Sequence, residues 1–181
     1  MNHELCIMNL NKLSLPANPK TAVLFGSPNN NGHTKKYLDE FLALLPPGGE
    51  TEIIDAYGLR PAPCFGCGYC TENGKCKNND LDGVFEKLSA ADLAVIASPV
   101  YFYGFPAPLK AVVDRLQPLY INKFIRKGPF CENKNAGALI ATSGRDDAET
   151  FEMLKRQSKI VFSLLSKELR IAFYFPETDK I

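Results

Sequence analysis

The chain has 181 residues, of which 45% are hydrophobic and 23% are charged, and its formal net charge at pH 7 is +1. This length suits one domain, and the small net charge argues against a nucleic-acid or anionic-membrane partner. No export signal and no membrane-spanning run is visible. Four of the six cysteines lie between Cys64 and Cys76. We therefore expect a cytoplasmic protein whose cysteines perform chemistry or bind metal, rather than a secreted disulfide scaffold.

Short apolar runs alternate with amphipathic stretches along the chain. Residues 1–20 show no clear periodicity and are interpreted as an N-terminal extension that lies on the domain or on a partner. After them, runs typical of buried strands alternate with helical spacings. The predicted strands are Thr21–Phe25, Thr51–Asp55, Leu93–Ala97, Ala136–Thr142 and Arg170–Phe175. The predicted helices are His33–Leu45, Asp80–Leu88, Pro106–Leu116 and Asp146–Leu165.

This alternation predicts a parallel sheet with helices on both faces. Residues 21–181 would then form one α/β domain with a cysteine-rich loop at residues 61–79. Ligands of such sheets bind beyond the carboxyl ends of the strands, at the point where the strand order reverses. The loops after the first, third and fourth strands are therefore the candidate site.

The first of these loops, Gly26–Thr34, leads from a strand into a helix, where free backbone N–H groups suit a phosphate. It is not a P-loop, because five residues separate Gly26 from Gly32 and His33 stands where a lysine is required. Its neutral donors favour the monoester phosphate of flavin mononucleotide over a triphosphate with magnesium, and the alternative is an ordinary βα turn. The donors are Ser27, Asn29, Asn30, Asn31, His33 and Thr34.

The other two loops supply aromatic and small residues. Tyr101, Phe102 and Tyr103 follow one another in the loop 98–106. They suit the flank of a planar ring, or else they cover the core or an interface. The loop 142–145 begins with small residues that permit close approach of a ligand to the backbone. Arg145 would either balance negative charge on a flavin or nicotinamide cofactor, or lie in solvent.

Together the motifs resemble the NADPH-dependent FMN reductase superfamily, and within it the iron–sulfur flavoproteins and related NAD(P)H oxidoreductases. The motifs are GSPNNNGHT, the clustered cysteines, SPVYFYGFPAPLKAVVDR and TSGRDD, over roughly residues 21–175. The resemblance implies a flavodoxin-like three-layer α/β sandwich whose five-stranded parallel sheet has the order 2-1-3-4-5. It also implies FMN as cofactor, NAD(P)H as co-substrate, and a homo-oligomer, dimer or tetramer, with the flavin near a subunit interface.

The resemblance also assigns roles to residues of the three loops, none of them as acid or base. The FMN phosphate would be held by Ser27, Asn31 and Thr34, with His33 adjacent and Asn29 as a further donor. The isoalloxazine would lie beside Pro99, Val100, Tyr101, Phe102 and Gly104, with Thr142, Ser143 and Gly144 closing the ring pocket.

The sequence departs from the family pattern in two places. The family usually continues past the fifth strand into a last helix, whereas this sequence stops at Ile181. Either the chain is shortened, or residues 1–20 or a partner subunit covers that face of the sheet. The first loop also lacks the basic residue that many relatives carry near Asn29 or Asn30.

The clustered cysteines read C-x2-C-x2-C-x5-C, which differs from the ferredoxin spacing. They are Cys64, Cys67, Cys70 and Cys76. The likeness to iron–sulfur flavoproteins implies that all four bind one [4Fe–4S] cluster. A structural zinc ion is one alternative, and thiols that are free or oxidised to disulfides are another.

Three functions follow from these observations. The first is an FMN-dependent oxidoreductase that passes electrons from NAD(P)H to a small acceptor such as a quinone, or to a bound iron–sulfur cluster. The second is an electron carrier that has no substrate of its own and is reduced by ferredoxin. The third is a flavin-free module that binds metal or phosphate, although its low-molecular-weight phosphatase form is excluded because C-x5-R does not occur.

Overall fold

The computed structural model describes residues 10–128 and 135–179 of the chain. The strands form one parallel sheet in the order β2-β1-β3-β4-β5, which confirms the expected flavodoxin-like α/β fold. The order reverses at β1, because the chain adds β2 on one side of it and β3 on the other. The strands are β1 (Lys20–Phe25), β2 (Glu50–Asp55), β3 (Leu93–Pro99), β4 (Asn135–Thr142) and β5 (Lys167–Phe175).

Helices lie on both faces of the sheet, and some of them differ from the expected bounds. The helix expected at Asp80 begins at Val84, because Gly83 has a φ of +80° and so interrupts it. Short helices in the connections carry no periodic pattern and were not predicted. The helices are α1 (His33–Leu42), α2 (Ala56–Leu59), α3 (Tyr69–Asn73), α4 (Val84–Ala90), α5 (Ala107–Asp114), α6 (Gln117–Tyr120) and α7 (Ala148–Leu164), with a 3₁₀ turn at Asn11–Leu13 and a π-helical turn at Ile121–Ile125.

Two apolar cores flank the sheet. Alternate residues of β1 divide between them, so that Ala22 and Leu24 join the core under α4, α5 and α7 while Val23 and Phe25 join the core under α1. This division follows from the period of two along a strand. The strands of a sheet covered on both faces are expected to contain continuous apolar runs, as β1 does at Ala22–Phe25 and β3 at Leu93–Ala97.

Residues before β1 contribute to the core under α1. Leu13 is only 1% exposed and packs in that core. Its carbonyl accepts a hydrogen bond of 2.8 Å from Nη1 of Arg170 on β5. Tyr37 of α1 stacks on Phe175 with ring centroids 3.8 Å apart. Part of the face that would carry a last helix in relatives is therefore covered by the 3₁₀ turn and by aromatic side chains.

Some sequence features fall outside the described residues, among them residues 1–9 of the proposed extension and Cys131. Within the described ranges, every helix is too short or too polar to traverse a bilayer.

Candidate functional site

The three candidate loops meet at Thr142, the last residue of β4. The hydroxyl oxygens of Thr34 and Thr142 lie 2.7 Å apart and form a buried hydrogen bond. The Thr142 carbonyl accepts a hydrogen bond of 2.8 Å from the backbone N–H of Val100. One residue of β4 thus joins the loop after β1 to the loops after β3 and β4, at the carboxyl edge of the sheet.

The first loop is folded by its own polar side chains. The Ser27 hydroxyl accepts a hydrogen bond of 3.2 Å from the backbone N–H of Asn29, and the Asn29 side-chain oxygen accepts one of 2.9 Å from Asn31. Such turns present successive backbone groups to one point in space. Ser27 and Thr34 are buried at the base of the loop, whereas Asn29, Asn31 and His33 are exposed.

The N-terminus of α1 has no side-chain cap. Gly32 occupies the N-cap position and cannot supply one, and the first turn contains no acidic residue. The first N–H groups of a helix have no partner within the helix, and the helix dipole there attracts negative charge. This end of α1 therefore has the properties that a phosphate-binding site requires.

The loop after β3 holds its aromatic residues in a strained turn. Tyr101 and Gly104 exchange two backbone hydrogen bonds of 3.0 Å. Phe102 and Tyr103 between them have φ values of 47° and 64°, a conformation that costs a non-glycine residue about 1–3 kcal/mol. The Phe102 side chain is fully exposed, while Phe105 is buried in the core. The turn thus holds aromatic rings in solvent beside the candidate site at an energetic cost.

The loop after β4 lies against the end of the chain. Ser143 donates its backbone N–H to Phe175 and accepts a hydrogen bond from Thr178, both at 3.0 Å. A Cβ atom on Gly144 would lie within 3.1 Å of three atoms of the Asp179 carboxyl group, so this glycine leaves room for the Asp179 side chain. Arg145 is exposed.

Tyr57 was not predicted as a site residue. It lies in α2, two residues after the end of β2, and the Asp55 side chain accepts a hydrogen bond of 2.9 Å from its backbone N–H. Burial raises the pKa of the Tyr57 phenol, and neighbouring Tyr101 raises it further. The phenol is protonated at neutral pH, as a tyrosine of ordinary pKa also is, and can donate a hydrogen bond. Its position just after a strand, at the ligand-binding edge of the sheet, is the feature of the sequence that could have indicated it as a site residue.

The four clustered cysteines line one cavity of about 440 Å³. Their thiols are free; Cys64 and Cys67 are exposed, and Cys70 and Cys76 are half-buried. Across residues 10–128 and 135–179, no three His, Cys, Asp or Glu side chains are grouped as a metal site.

A buried arginine also lines this cavity. Arg115 follows α5 and is 3% exposed, and its Nη atoms bond to Asp80 and to two loop carbonyls. Its Nε atom is buried without a hydrogen-bond partner in the described structure. Thiols and an unpartnered cationic N–H donor on one cavity fit an anionic group liganded by sulfur, such as an iron–sulfur cluster.

Arg115 was not predicted as a site residue, because its ion-pair partner Asp80 lies 35 positions earlier in the chain. The available signal was a single arginine at the end of the apolar helical pattern of residues 106–116.

Comparison with known proteins gives a family and a set of relatives. The sequence model of the NADPH-dependent FMN reductase family matches residues 19–164. An iron–sulfur flavoprotein of Methanocaldococcus jannaschii is 36% identical over 132 residues, which cover 72% of this chain and 65% of that protein. One of Methanosarcina thermophila is 31% identical over 127 residues, covering 69% of this chain and 63% of that protein. The chain thus spans less than two thirds of the length of these relatives.

Solved structures share the fold at low sequence identity. An azoreductase from Bacillus anthracis superimposes with a TM-score of 0.66 at 16% identity, covering 90% of this chain and 88% of that one. An NAD(P)H:quinone oxidoreductase from Methanothermobacter marburgensis gives a TM-score of 0.62 at 18% identity, covering 88% of this chain and 84% of that one. At such identities the likeness concerns the fold.

Proposed function

Because the chain belongs to the NADPH-dependent FMN reductase family, we propose that it is an FMN-dependent oxidoreductase. It takes electrons from NAD(P)H and passes them to a small acceptor such as a quinone, or to an iron–sulfur cluster held by its four clustered cysteines. A relative of 31% identity from Hahella chejuensis carries the name FMN-dependent NADH:quinone oxidoreductase, which supports this class of reaction.

The observation that carries the proposal is the convergence of three loops on Thr142 beside the uncapped N-terminus of α1. The FMN phosphate would bind the first N–H groups of α1 together with the hydroxyls of Ser27 and Thr34 and the side chains of Asn29, Asn31 and His33. No basic residue stands between Gly26 and His33, so the attraction comes from neutral donors and the helix dipole.

The ring of the cofactor would lie against the other two loops. Residues 99–104 supply an aromatic and backbone wall, and residues 142–144 supply backbone that a ring can approach closely. When bound, FMN supplies an acceptor of two electrons that can release them one at a time. The residues of the chain bind and orient the ring and exclude water from it, and Tyr57 keeps a protonated phenol beside the turn.

The cysteine cavity would hold the second redox group. Cys64, Cys67, Cys70 and Cys76 line it together, and four cysteine thiolates are the usual ligand set of a [4Fe–4S] cluster. Such a cluster transfers one electron at a time, which complements the flavin. A zinc ion on the same thiolates, or four free thiols, are the alternative outcomes of metal analysis.

Flavin binding is tested by titrating FMN into the flavin-free protein and following the quenching of flavin fluorescence. Thr34→Val removes a hydroxyl donor while keeping the side-chain shape. We expect at least a tenfold rise in the FMN dissociation constant, because a hydrogen bond to a charged group contributes about 1.5–3 kcal/mol.

Thr21→Val is the matched control for this titration, since Thr21 is a buried threonine at the opposite end of β1. We expect it to bind FMN as the wild type does. A wild-type protein that binds no FMN, or a Thr34→Val variant with wild-type affinity, would contradict the proposal.

An electron carrier without its own substrate is the second candidate, and the four cysteines on one cavity favour it. The two functions predict different steady-state rates of NAD(P)H oxidation. The oxidoreductase oxidises NAD(P)H continuously when a quinone is supplied, whereas the carrier shows no such turnover and is instead reduced rapidly by ferredoxin. Measuring both rates on anaerobically purified protein decides between them.

A further inference from the structure

The cysteine segment, residues 62–80, is closed at its base by Arg115. Its Nη1 donates to the Ala62 carbonyl at 3.0 Å, and its Nη2 donates to the Asn78 carbonyl at 3.0 Å and to the Asp80 carboxylate at 2.6 Å. The Asp80 carboxylate also accepts a hydrogen bond of 2.8 Å from the Ala62 backbone N–H. One guanidinium and one carboxylate thus join the two ends of the segment.

The remaining donor of this guanidinium, Nε, belongs to a residue that lines the cysteine cavity. The Arg115 side chain is 2% exposed, its Nε has no hydrogen-bond partner, and the residue lines the same cavity as the four thiols. The pKa of Arg115 is raised chiefly by its hydrogen bond to Asp80, although burial lowers it, and Cys76 raises it further. A buried N–H donor without a partner destabilises the fold, so an acceptor supplied by a bound group would satisfy it.

We infer that Arg115 is a positioning residue of the cysteine site, which closes the segment 62–80 through its Nη atoms and donates its Nε–H to sulfur within the cavity. The second part rests on the proposed iron–sulfur cluster. A cationic donor beside a cluster favours the reduced, more negative form, because hydrogen bonds and charge near the sulfurs set the potential.

The chain offers a matched comparison in Arg126, which also holds the segment but does not line the cavity. Its Nη2 donates to the carbonyls of Thr71 and Glu72 at 2.6 and 2.5 Å, at the end of α3. Arg126 is exposed. If the midpoint potential changes only because the segment is loosened, it should change in variants of both arginines. If Arg115 donates a hydrogen bond to sulfur, the potential should change in the Arg115 variants alone.

The test compares Arg115→Met, Arg115→Lys and Arg126→Met in the full chain, before and after anaerobic reconstitution with ferrous iron and sulfide. Amide hydrogen exchange of residues 62–80 is measured without the cluster, and the midpoint potential is measured with it. For Arg115→Met we expect exchange at least tenfold faster throughout the segment, and a reduction equilibrium about tenfold less favourable. For one electron this equals a potential about 59 mV lower.

The other two variants should change hydrogen exchange and the midpoint potential less than Arg115→Met does. Arg126→Met should speed exchange only near residues 71–74 and leave the potential unchanged. Arg115→Lys keeps the charge but not the forked donors, so it should fold and show smaller changes in exchange and potential in the same direction. If Arg115→Met does not fold, Arg115→Lys tests the inference in its place.

Exchange and potential at wild-type values in the Arg115 variants would overturn the inference, as would equal potential shifts in Arg115→Met and Arg126→Met. A wild-type protein that takes up no iron and sulfide would instead refute the proposed cluster, and with it the role of Nε. Exchange of the segment would still decide whether Arg115 closes it.

Discussion

Asp80 shows how much of the cysteine segment depends on single charged residues. The hydrogen bond from Arg115 is the main reason that the pKa of the Asp80 carboxyl is lowered, and partial burial opposes it. A carboxyl group whose pKa is lower in the folded state contributes stability at pH values above its unfolded pKa, which is about 3.9. That contribution is lost as the pH falls through the folded value.

We therefore expect Asp80→Asn to lower the free energy of unfolding by about 2 kcal/mol at pH 7, since it leaves Arg115 buried with a weaker partner. At pH 3 the difference from wild type should narrow. Urea unfolding at both pH values measures this. Asp114→Asn is the control, because Asp114 forms an exposed pair with Lys110 and should change stability by less than about 0.5 kcal/mol. Equal losses at pH 7 and pH 3 would contradict the assignment.

Gly26 is the first residue after β1, where the first loop leaves the strand. A Cβ atom added there would lie 2.5 Å from Cδ2 and 3.1 Å from Cβ of Leu109 on α5. Gly137, at the other end of the sheet, would bring a Cβ atom within 2.8 Å of the Phe162 ring. Overpacking of this kind costs about 1–3 kcal/mol.

Gly26→Ala and Gly137→Ala should accordingly both destabilise the fold, but only Gly26→Ala should weaken FMN binding in the protein that remains folded. The reason is position, since Leu109 lies beneath the candidate site and Phe162 does not. Thermal unfolding and FMN titration measured on the same samples check this. A loss of FMN affinity in Gly137→Ala as large as that in Gly26→Ala would contradict it.

At the level of elements, the turn at residues 101–104 is strained and keeps aromatic rings exposed to solvent. Its strain lowers the stability of the folded protein. Two-residue turns with positive φ at both central positions favour Asn-Gly, yet Phe102 and Tyr103 occupy them. The double substitution Phe102→Asn with Tyr103→Gly should raise the free energy of unfolding by about 1–2 kcal/mol. It should also weaken FMN binding, because the aromatic flank is lost.

Phe102→Ala separates the two effects. It removes the fully exposed ring but leaves a side chain at positive φ, so stability should stay near wild type while FMN affinity falls. Urea unfolding and FMN titration give both quantities. If the double variant is not stabilised, the turn is not strained in the way its φ values indicate.

The main elements were predictable because each carries a local pattern. Buried parallel strands read as continuous apolar runs, which located β1 and β3 almost to the residue. The single-turn helices α2 and α6 have too few residues to show a period, and they were missed. The start of α4 was placed too early, because apolar Leu81 fits the helical spacing although it precedes the break at Gly83.

The candidate site was predictable in part for a similar reason. The strand alternation predicts which loops lie at the ligand-binding edge, and Thr34 and Thr142 of those loops form a hydrogen bond in the structure. The contacts of Arg115 with Ala62, Asn78 and Asp80 join residues 35–53 positions apart. No local pattern records such a pairing, so only the fold revealed it.

In the molecule as a whole, α5 links the two candidate sites. It begins directly after the aromatic loop at Ala107 and ends next to Arg115 at the cysteine cavity. Its eight residues span about 12 Å. The aromatic loop and the cysteine cavity are therefore joined by one short helix.

The charge of the whole molecule leads to the last prediction. The net charge is +1 and the first loop offers neutral donors, so FMN binding should depend little on screening by salt. Between 0.05 and 0.5 M salt we expect the FMN dissociation constant to change by less than about threefold. FMN at about 100 times its dissociation constant should add roughly 2.7 kcal/mol to the free energy of unfolding at either salt concentration. A weakening of tenfold or more in high salt would show that a cationic side chain contacts the phosphate, and Arg145→Met would then identify whether the exposed arginine after β4 is that contact.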